Sequence, residues 1–306
     1  MDRLEMLARA LRRELPGLEV RENEPMRNHT TFRIGGPARL MALPRSEEEA
    51  QSAVRLAAEL GVEPLFMGNG SNLLAADAGV EAFLIKSFDG LGRLELAGEA
   101  GIRAGSGVLL SRLANFALAN GLTGLEFAHG IPGTLGGAAA MNAGAYGGEM
   151  AQVLTRVTYL DEGGAPVTLP VDRCGLSYRH SVFSDHPQWL ILEAELALAP
   201  GQAEQIRGRM AELAQRRREK QPLEQPSAGS TFKRPEGHFA AALIEGCGLK
   251  GVGIGGAQVS EKHAGFVVNR GDATADDVRR LMALVQETVL RETGVALEPE
   301  VRLLGF

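Results

Sequence analysis

The residues best suited to chemistry are gathered in glycine-rich loops. Gly68-Asn69-Gly70-Ser71-Asn72 follows the apolar run 64–67. Glycine, asparagine and serine in succession can turn several backbone N–H groups toward one point, a nest suited to phosphate; the same residues also make an ordinary polar turn. Residues 124–150 hold 8 glycines in 27 positions, with Pro132, Thr134 and a run of alanines. A loop this long without large side chains lets a backbone lie against a flat or phosphorylated ligand, or lets a helix pack closely on a sheet. Residues 28–37 and 227–233 (SAGSTFK) are two further stretches of this kind. Gly251–Gly256 matches GxGxxG, but it follows a predicted helix ending near Gly246 and precedes none. The strand–loop–helix order of a dinucleotide fingerprint is therefore missing, and the run reads as a structural turn. His29 and His129 have no second histidine or carboxylate at metal-ligand spacing, so no metal site is expected.

These loops need a scaffold, and the hydrophobic period supplies one. It switches between about 3.6 and about 2, the mark of a mixed helix and sheet protein. Helices are predicted over 2–15, 47–60, 107–119, 202–219 and 274–292. Strands are predicted over 38–43, 64–67, 82–86, 101–104, 153–160, 166–170, 189–198, 264–269 and 300–304. Ser46 before Glu47, Glu48 and Glu49 is an N-cap with an acidic first turn, and Asp272 or Thr274 is placed to cap the last helix. The basic and then Pro/Gln-rich run 216–229 reads as a linker, and the main boundary is placed near residue 200.

Composition narrows the function. The chain has 306 residues, a net charge of −6, 44% hydrophobic residues, two cysteines and 39 glycines. This glycine content is well above the ordinary ~7%, yet it has no collagen period, and the apolar content excludes disorder. The acidic balance argues against nucleic acid or an anionic membrane as partner. No apolar run approaches the ~18 residues of a membrane span, and the charged start has no signal-peptide core. Cys174 and Cys247 form no CxxC pair and read as two ordinary thiols in a reducing cytoplasm.

Six segments in order carry a family resemblance: TTFRIGG (30–36), GNGSNLL (68–74), GIPGT…GGAAAMNAGAYGGE (130–149), LSYRHSVF (176–183), AGSTFKRP (228–235) and LEPEVRLLG (297–305). Together they make the chain, from about residue 25 onward, resemble the UDP-N-acetylenolpyruvoylglucosamine reductase family. The resemblance implies an α+β fold: a vanillyl-alcohol-oxidase-type FAD-binding domain of two subdomains, expected over 1–84 and 85–199, and a smaller α+β substrate domain over 200–306. It implies non-covalent FAD, with NADPH as reductant and a nucleotide-sugar substrate. It implies no nucleic acid, membrane or obligatory protein partner. By motif, Gly68, Asn69, Gly70, Ser71 and Asn72 would contact the pyrophosphate. Arg33, Gly133, Thr134, Gly136, Gly137 and Ala143 would complete the flavin site. Only 51 positions separate Arg179 from Ser230, and no tyrosine lies between them. The chain thus resembles the family's shorter type, without the tyrosine-bearing loop that covers substrate in the longer one.

The implied reaction adds hydride to the methylene carbon of an enolpyruvyl ether, which pushes charge into the neighbouring carboxylate. By resemblance Arg179 would grip that carboxylate through two hydrogen bonds, and a protonated Glu300 would donate to the developing charge. Ser230 would protonate the other carbon, although the sequence shows no base to activate it. Lys220 and Lys233 are candidates for the diphosphate, and Lys262 and Tyr178 for other contacts with the substrate. Each also has a plain reading: a surface arginine, a turn serine, a strand-edge carboxylate, solvated lysines, a core tyrosine. Another FAD-dependent oxidase or dehydrogenase on the same fold, and a nucleotide-sugar binder without turnover, are the competing functions.

Overall fold

The computed structural model describes residues 2–306. They form two compact units. One holds residues up to Glu22, Leu40–Asn69 and Ala82–Gln215; the other holds Asn23–Arg39, Gly70–Glu81 and Arg216–Phe306.

The first unit is built on two sheets. A four-stranded sheet has the order Glu19–Pro25, Pro37–Leu43, Val80–Lys86, Pro64–Met67. Its last two strands run parallel, with Pro64 opposite Phe83 and Met67 opposite Lys86. The helices Arg3–Glu14 and Glu47–Glu59 supply Leu7, Leu11, Ala53 and Val54 to a core with Leu40, Phe83 and Ile85. Ser46 caps the second helix by accepting from the Glu49 N–H at 3.2 Å, as its sequence predicts. A five-stranded antiparallel sheet follows in the order Pro166–Pro170, Leu154–Leu160, Leu190–Ala197, Gly101–Gly105, Leu94–Ala97. Leu113 of the helix Leu110–Ala119 and Leu135 of the short helix Leu135–Ala140 join a core with Ile102, Val157, Tyr159 and Ile191.

The second unit is smaller. A three-stranded antiparallel sheet of Gly253–Ile254, Ala257–Val259 and Val267–Asn269 packs with the helix Ala275–Thr293. Its core includes Val278, Leu281 and Val285, and also Phe32 and Leu74, which reach it from far earlier in the chain. This is why Asn23–Arg39 and Gly70–Glu81 fall with the C-terminal residues, where the sequence reading groups them with the first 84. Strand Leu73–Ala75 pairs in parallel with Arg302–Leu304, Arg302 lying opposite Leu73. Thr274 caps the helix through a capping box with Asp277. The Gly251–Gly256 run forms a hairpin turn and no helix follows it. Gly255 sits at φ +52°, and a Cβ there would come within 2.3 Å of the Asp277 carboxylate. Glycine is needed there to let the hairpin reach the helix cap.

The helix predicted over 202–219 is found at Ala203–Lys220, so the segment 216–229 read as a linker begins inside a helix. The strand predicted over 264–269 is reduced to Val267–Asn269, because a turn closes first with Phe266 N–H donating to His263 C=O at 3.0 Å. Among the described residues no helix is long and apolar enough to cross a membrane.

Candidate active site

In the first unit the glycine loops form a cradle. Residues 133–136 lace onto 106–110: Leu110 N–H donates to Gly133 C=O (3.0 Å), Leu135 N–H to Val108 C=O (2.8 Å) and Gly136 N–H to Ser106 C=O (2.9 Å). A Cβ on Gly136 would stand 2.8 Å from Ser106 Cβ, and one on Gly68 would stand 2.2 Å from Thr134 Oγ1. Both glycines are therefore required by close approach. Asn69 Nδ2 lies 3.5 Å from the Pro132 carbonyl, which ties the two loops together only weakly. Gly137 stands over Thr134 with a Cβ position 4.0 Å from the hydroxyl, and Ala143 N–H closes the following turn on Ala138 C=O at 2.8 Å.

Two hydroxyls in this cradle, Thr134 Oγ1 and Ser106 Oγ, are buried without a hydrogen-bond partner. Thr134 begins the Leu135–Ala140 helix but makes no side-chain cap. A buried polar group left unpaired costs about 1–3 kcal/mol, so such groups call for a ligand or another purpose. Bare glycine backbone with hydroxyl donors beside it suits the polar parts of a flavin nucleotide, and these residues fit FAD. Ser106 is absent from the motif-based assignment; a small serine after a strand carries no distinctive sequence signal.

Arg179 stands at the tip of a two-residue turn in the same unit. Ser177 N–H donates to His180 C=O at 3.1 Å and His180 N–H returns to Ser177 C=O at 3.2 Å. Arg179 has φ +55°, in the left-handed region that favours glycine. Strain of this kind persists where surroundings impose it, often at functional positions. The surroundings are visible. Asn142, itself at φ +43° and 1% exposed, donates from Nδ2 to Ser177 C=O at 3.1 Å and accepts from Ala151 N–H at Oδ1 at 2.8 Å. Ser181 Oγ donates to Ala140 C=O at 2.6 Å. The guanidinium lies 3.4 Å from Gly144 C=O and 5.1 Å from the Tyr178 ring centre. Tyr178 is 51% exposed, which removes it from the core. His180 pairs with Asp185 at 2.9 Å.

The second unit holds the remaining candidates. Gly70 sits at φ +64°, with His29 C=O 2.0 Å from where a Cβ would be, and Ser71 and Asn72 continue from it, both half-buried. Arg33, exposed at φ +57°, lines a concavity of about 410 Å³ with Arg27, Asn28 and Thr30. Ser230 and Glu300 are brought to neighbouring register positions. Phe232 pairs with Pro299, Glu300 N–H donates to Thr231 C=O at 2.8 Å, and Lys233 N–H to Glu298 C=O at 2.8 Å. Thr231 anchors this ladder, its N–H donating to Gly265 C=O (2.8 Å) and its Oγ1 accepting from Val267 N–H (3.0 Å). Both Ser230 and Glu300 are half-buried.

The lysines are more dispersed. Lys233 pairs with Glu298, Lys262 lies 3.9 Å from Glu224, and Lys220 is exposed at a helix end. His263, next to Lys262, has its pKa lowered, chiefly by burial, with the Lys250 and Lys220 charges adding to the effect. Exposed ion pairs of this type are worth little, so the lysines remain available to an anion.

Comparison with known proteins agrees with both halves. The model of an FAD binding domain matches residues 38–170, and that of the UDP-N-acetylenolpyruvoylglucosamine reductase C-terminal domain matches residues 221–304. UDP-N-acetylenolpyruvoylglucosamine reductase of Clostridium novyi (strain NT) is 47% identical over 287 residues, covering 94% of this chain and 92% of that protein. The enzyme of the same name from Agathobacter rectalis is 47% identical over 303 residues, covering 95% and 96%. The crystal structure of the Thermus caldophilus reductase superposes with a TM-score of 0.80 at 36% identity, over 94% of this chain and 98% of that one. With an FAD-binding segment, a reductase C-terminal segment and relatives matched nearly end to end, the chain belongs to the UDP-N-acetylenolpyruvoylglucosamine reductase family.

Proposed function

We propose that this protein reduces the enolpyruvyl C=C bond of UDP-N-acetylglucosamine enolpyruvate to give UDP-N-acetylmuramate, a peptidoglycan precursor, with NADPH as reductant. FAD, held without a covalent bond, would supply the hydride chemistry between NADPH and the methylene carbon. The chain's own residues then manage charge and proton. Arg179 holds the substrate carboxylate with its planar fork while that group gains negative charge. Glu300, protonated, donates a hydrogen bond to the same developing charge. Ser230 gives a proton to the carbon next to the carboxylate. Gly68, Asn69, Gly70, Ser71, Ser106, Gly133, Thr134, Gly136, Gly137, Ala143 and Arg33 serve the cofactor. Lys220, Lys233, Lys262 and Tyr178 serve the nucleotide and its diphosphate. The compartment is the cytoplasm, where NADPH and UDP-sugars are made.

The observation that most supports this reading is the ladder that pairs Glu300 with Thr231, the residue after Ser230, so that the two segments carrying these candidates run beside each other. Both segments lie in the region matched by the reductase C-terminal model. The test is anaerobic spectroscopy. The purified protein should be yellow, bleach with NADPH, and regain its colour on adding the enolpyruvyl ester. Ser230→Ala should bleach normally and recover slowly. A protein colourless after flavin supplementation would end the flavoenzyme reading, and recovery with oxygen alone would make it an oxidase.

A further inference from the structure

Asn72 belongs to the motif assigned by resemblance to the flavin, yet its amide reaches a different target. Its Nδ2 donates to the carbonyl of Glu300 at 2.9 Å. Its own carbonyl accepts from the Arg302 N–H, also at 2.9 Å. One residue thus grips the backbone on both sides of Val301, which is buried. The strand that follows, Leu73–Ala75, continues the grip as a parallel ladder along Arg302–Leu304, and Ala76 N–H closes it on Leu304 C=O at 2.9 Å. Two residues further on, Asp77 accepts from the first N–H groups of the Ala275–Thr293 helix, from Ala275 at 2.9 Å and Asp276 at 3.1 Å. The segment is therefore pinned at both ends to the C-terminal residues.

Glu300 is held by both of its backbone polar groups. Thr231, the neighbour of Ser230, accepts its N–H, and Asn72 donates to its carbonyl. With both groups fixed, the placement of the Glu300 carboxyl depends on its side-chain torsions alone. Misplacing a catalytic group by about 1 Å can cost on the order of 10²-fold in rate.

We propose that Asn72 is a positioning residue for Glu300. It acts on the substrate half-reaction by fixing the Glu300 backbone. This rests on the reading that Glu300 donates to the developing carboxylate charge. Asn72→Asp keeps the shape and removes the Nδ2 donor; Asn72→Ser removes it with less charge, should the first variant fold poorly. In the holoenzyme, reoxidation of reduced flavin by the enolpyruvyl ester should slow by about 10- to 10²-fold in either variant. Bleaching by NADPH in the flavin-saturated enzyme should change far less than this. The double variant should be no slower than Glu300→Ala alone. Equal losses in both half-reactions, or losses that multiply in the double variant, would assign Asn72 to the flavin and overturn the proposal. A slow Glu300→Ala with a normal Asn72→Asp overturns the Asn72 role alone. A normal Glu300→Ala overturns the reading of Glu300, and this proposal with it.

Discussion

Gly68→Ala tests the cradle where its two glycine loops meet. The added Cβ would lie 2.2 Å from Thr134 Oγ1 and 3.3 Å from Thr134 Cβ. Threonine is β-branched and buried at 1% exposure, so turning the hydroxyl away drives its methyl into the same space. The loop or the threonine must move, and overpacking of this kind costs about 1–3 kcal/mol. Thr134→Ala removes the offending oxygen and leaves the 3.3 Å contact, which a shift of a few tenths of an ångström relieves. The single Thr134→Ala change should be nearly neutral in flavin-free protein. It loses about 0.8 kcal/mol of buried methyl but also removes a buried, unpartnered hydroxyl that costs about 1–3 kcal/mol. The double variant should therefore recover most of the stability lost by Gly68→Ala. In FAD binding the order changes. Thr134→Ala loses a hydrogen bond worth about 0.5–1.5 kcal/mol, and affinity should fall by up to about tenfold. Chemical denaturation of flavin-free protein and FAD fluorescence titration read the two effects separately. If flavin-free Gly68→Ala is as stable as the parent, or the double variant as unstable as Gly68→Ala, the clash argument is wrong. Unchanged FAD affinity in Thr134→Ala would remove its hydroxyl from the flavin site.

Arg179→Gly should relieve the φ +55° turn and leave stability within about 1 kcal/mol of the parent, since relaxed strain offsets the extra freedom of the unfolded chain. The same change should slow reoxidation by the enolpyruvyl ester by about 10²-fold or more, and Arg179→Lys should restore only part of it, having the charge without the fork. Stopped-flow traces as fast as the parent's would dismiss Arg179 from the carboxylate. Burial pushes the Cys174 thiol up to about 11, whereas Cys247 is only half-buried. The thiolate is the reactive form, so at pH 8 native protein should take up one equivalent of an alkylating reagent and denatured protein two, counted by mass spectrometry. Equal labelling of both thiols in the native state would contradict the burial.

Local features of the structure are written in local sequence. Ser46 and Thr274 cap the helices they precede, and the alternating run 153–160 is a central strand. The glycine motifs named the cradle because a close backbone approach can be met only by residues without side chains, whatever surrounds them. The mixed helix-and-sheet class follows from the same periodicities, and the order of motifs carried the family and, with it, the α+β fold. Other features depend on partners far along the chain. Periodicity says that Phe32 and Leu74 have an apolar side to cover. It does not say that the cover is the core around Val278 and Leu281. Asn72 and Glu300 are 228 positions apart, and no local rule pairs an amide with that carbonyl. The left-handed backbone of Arg179 runs against its own residue type and exists because Asn142 and Ser181 hold the turn. The partnerless hydroxyls of Ser106 and Thr134 appear only once the chain has closed around them. Sequence by itself determined which segments turn, cap and bury. Tertiary structure decided which distant segments cover one another, because a hydrophobic face or a polar group specifies the kind of partner it needs and not its address.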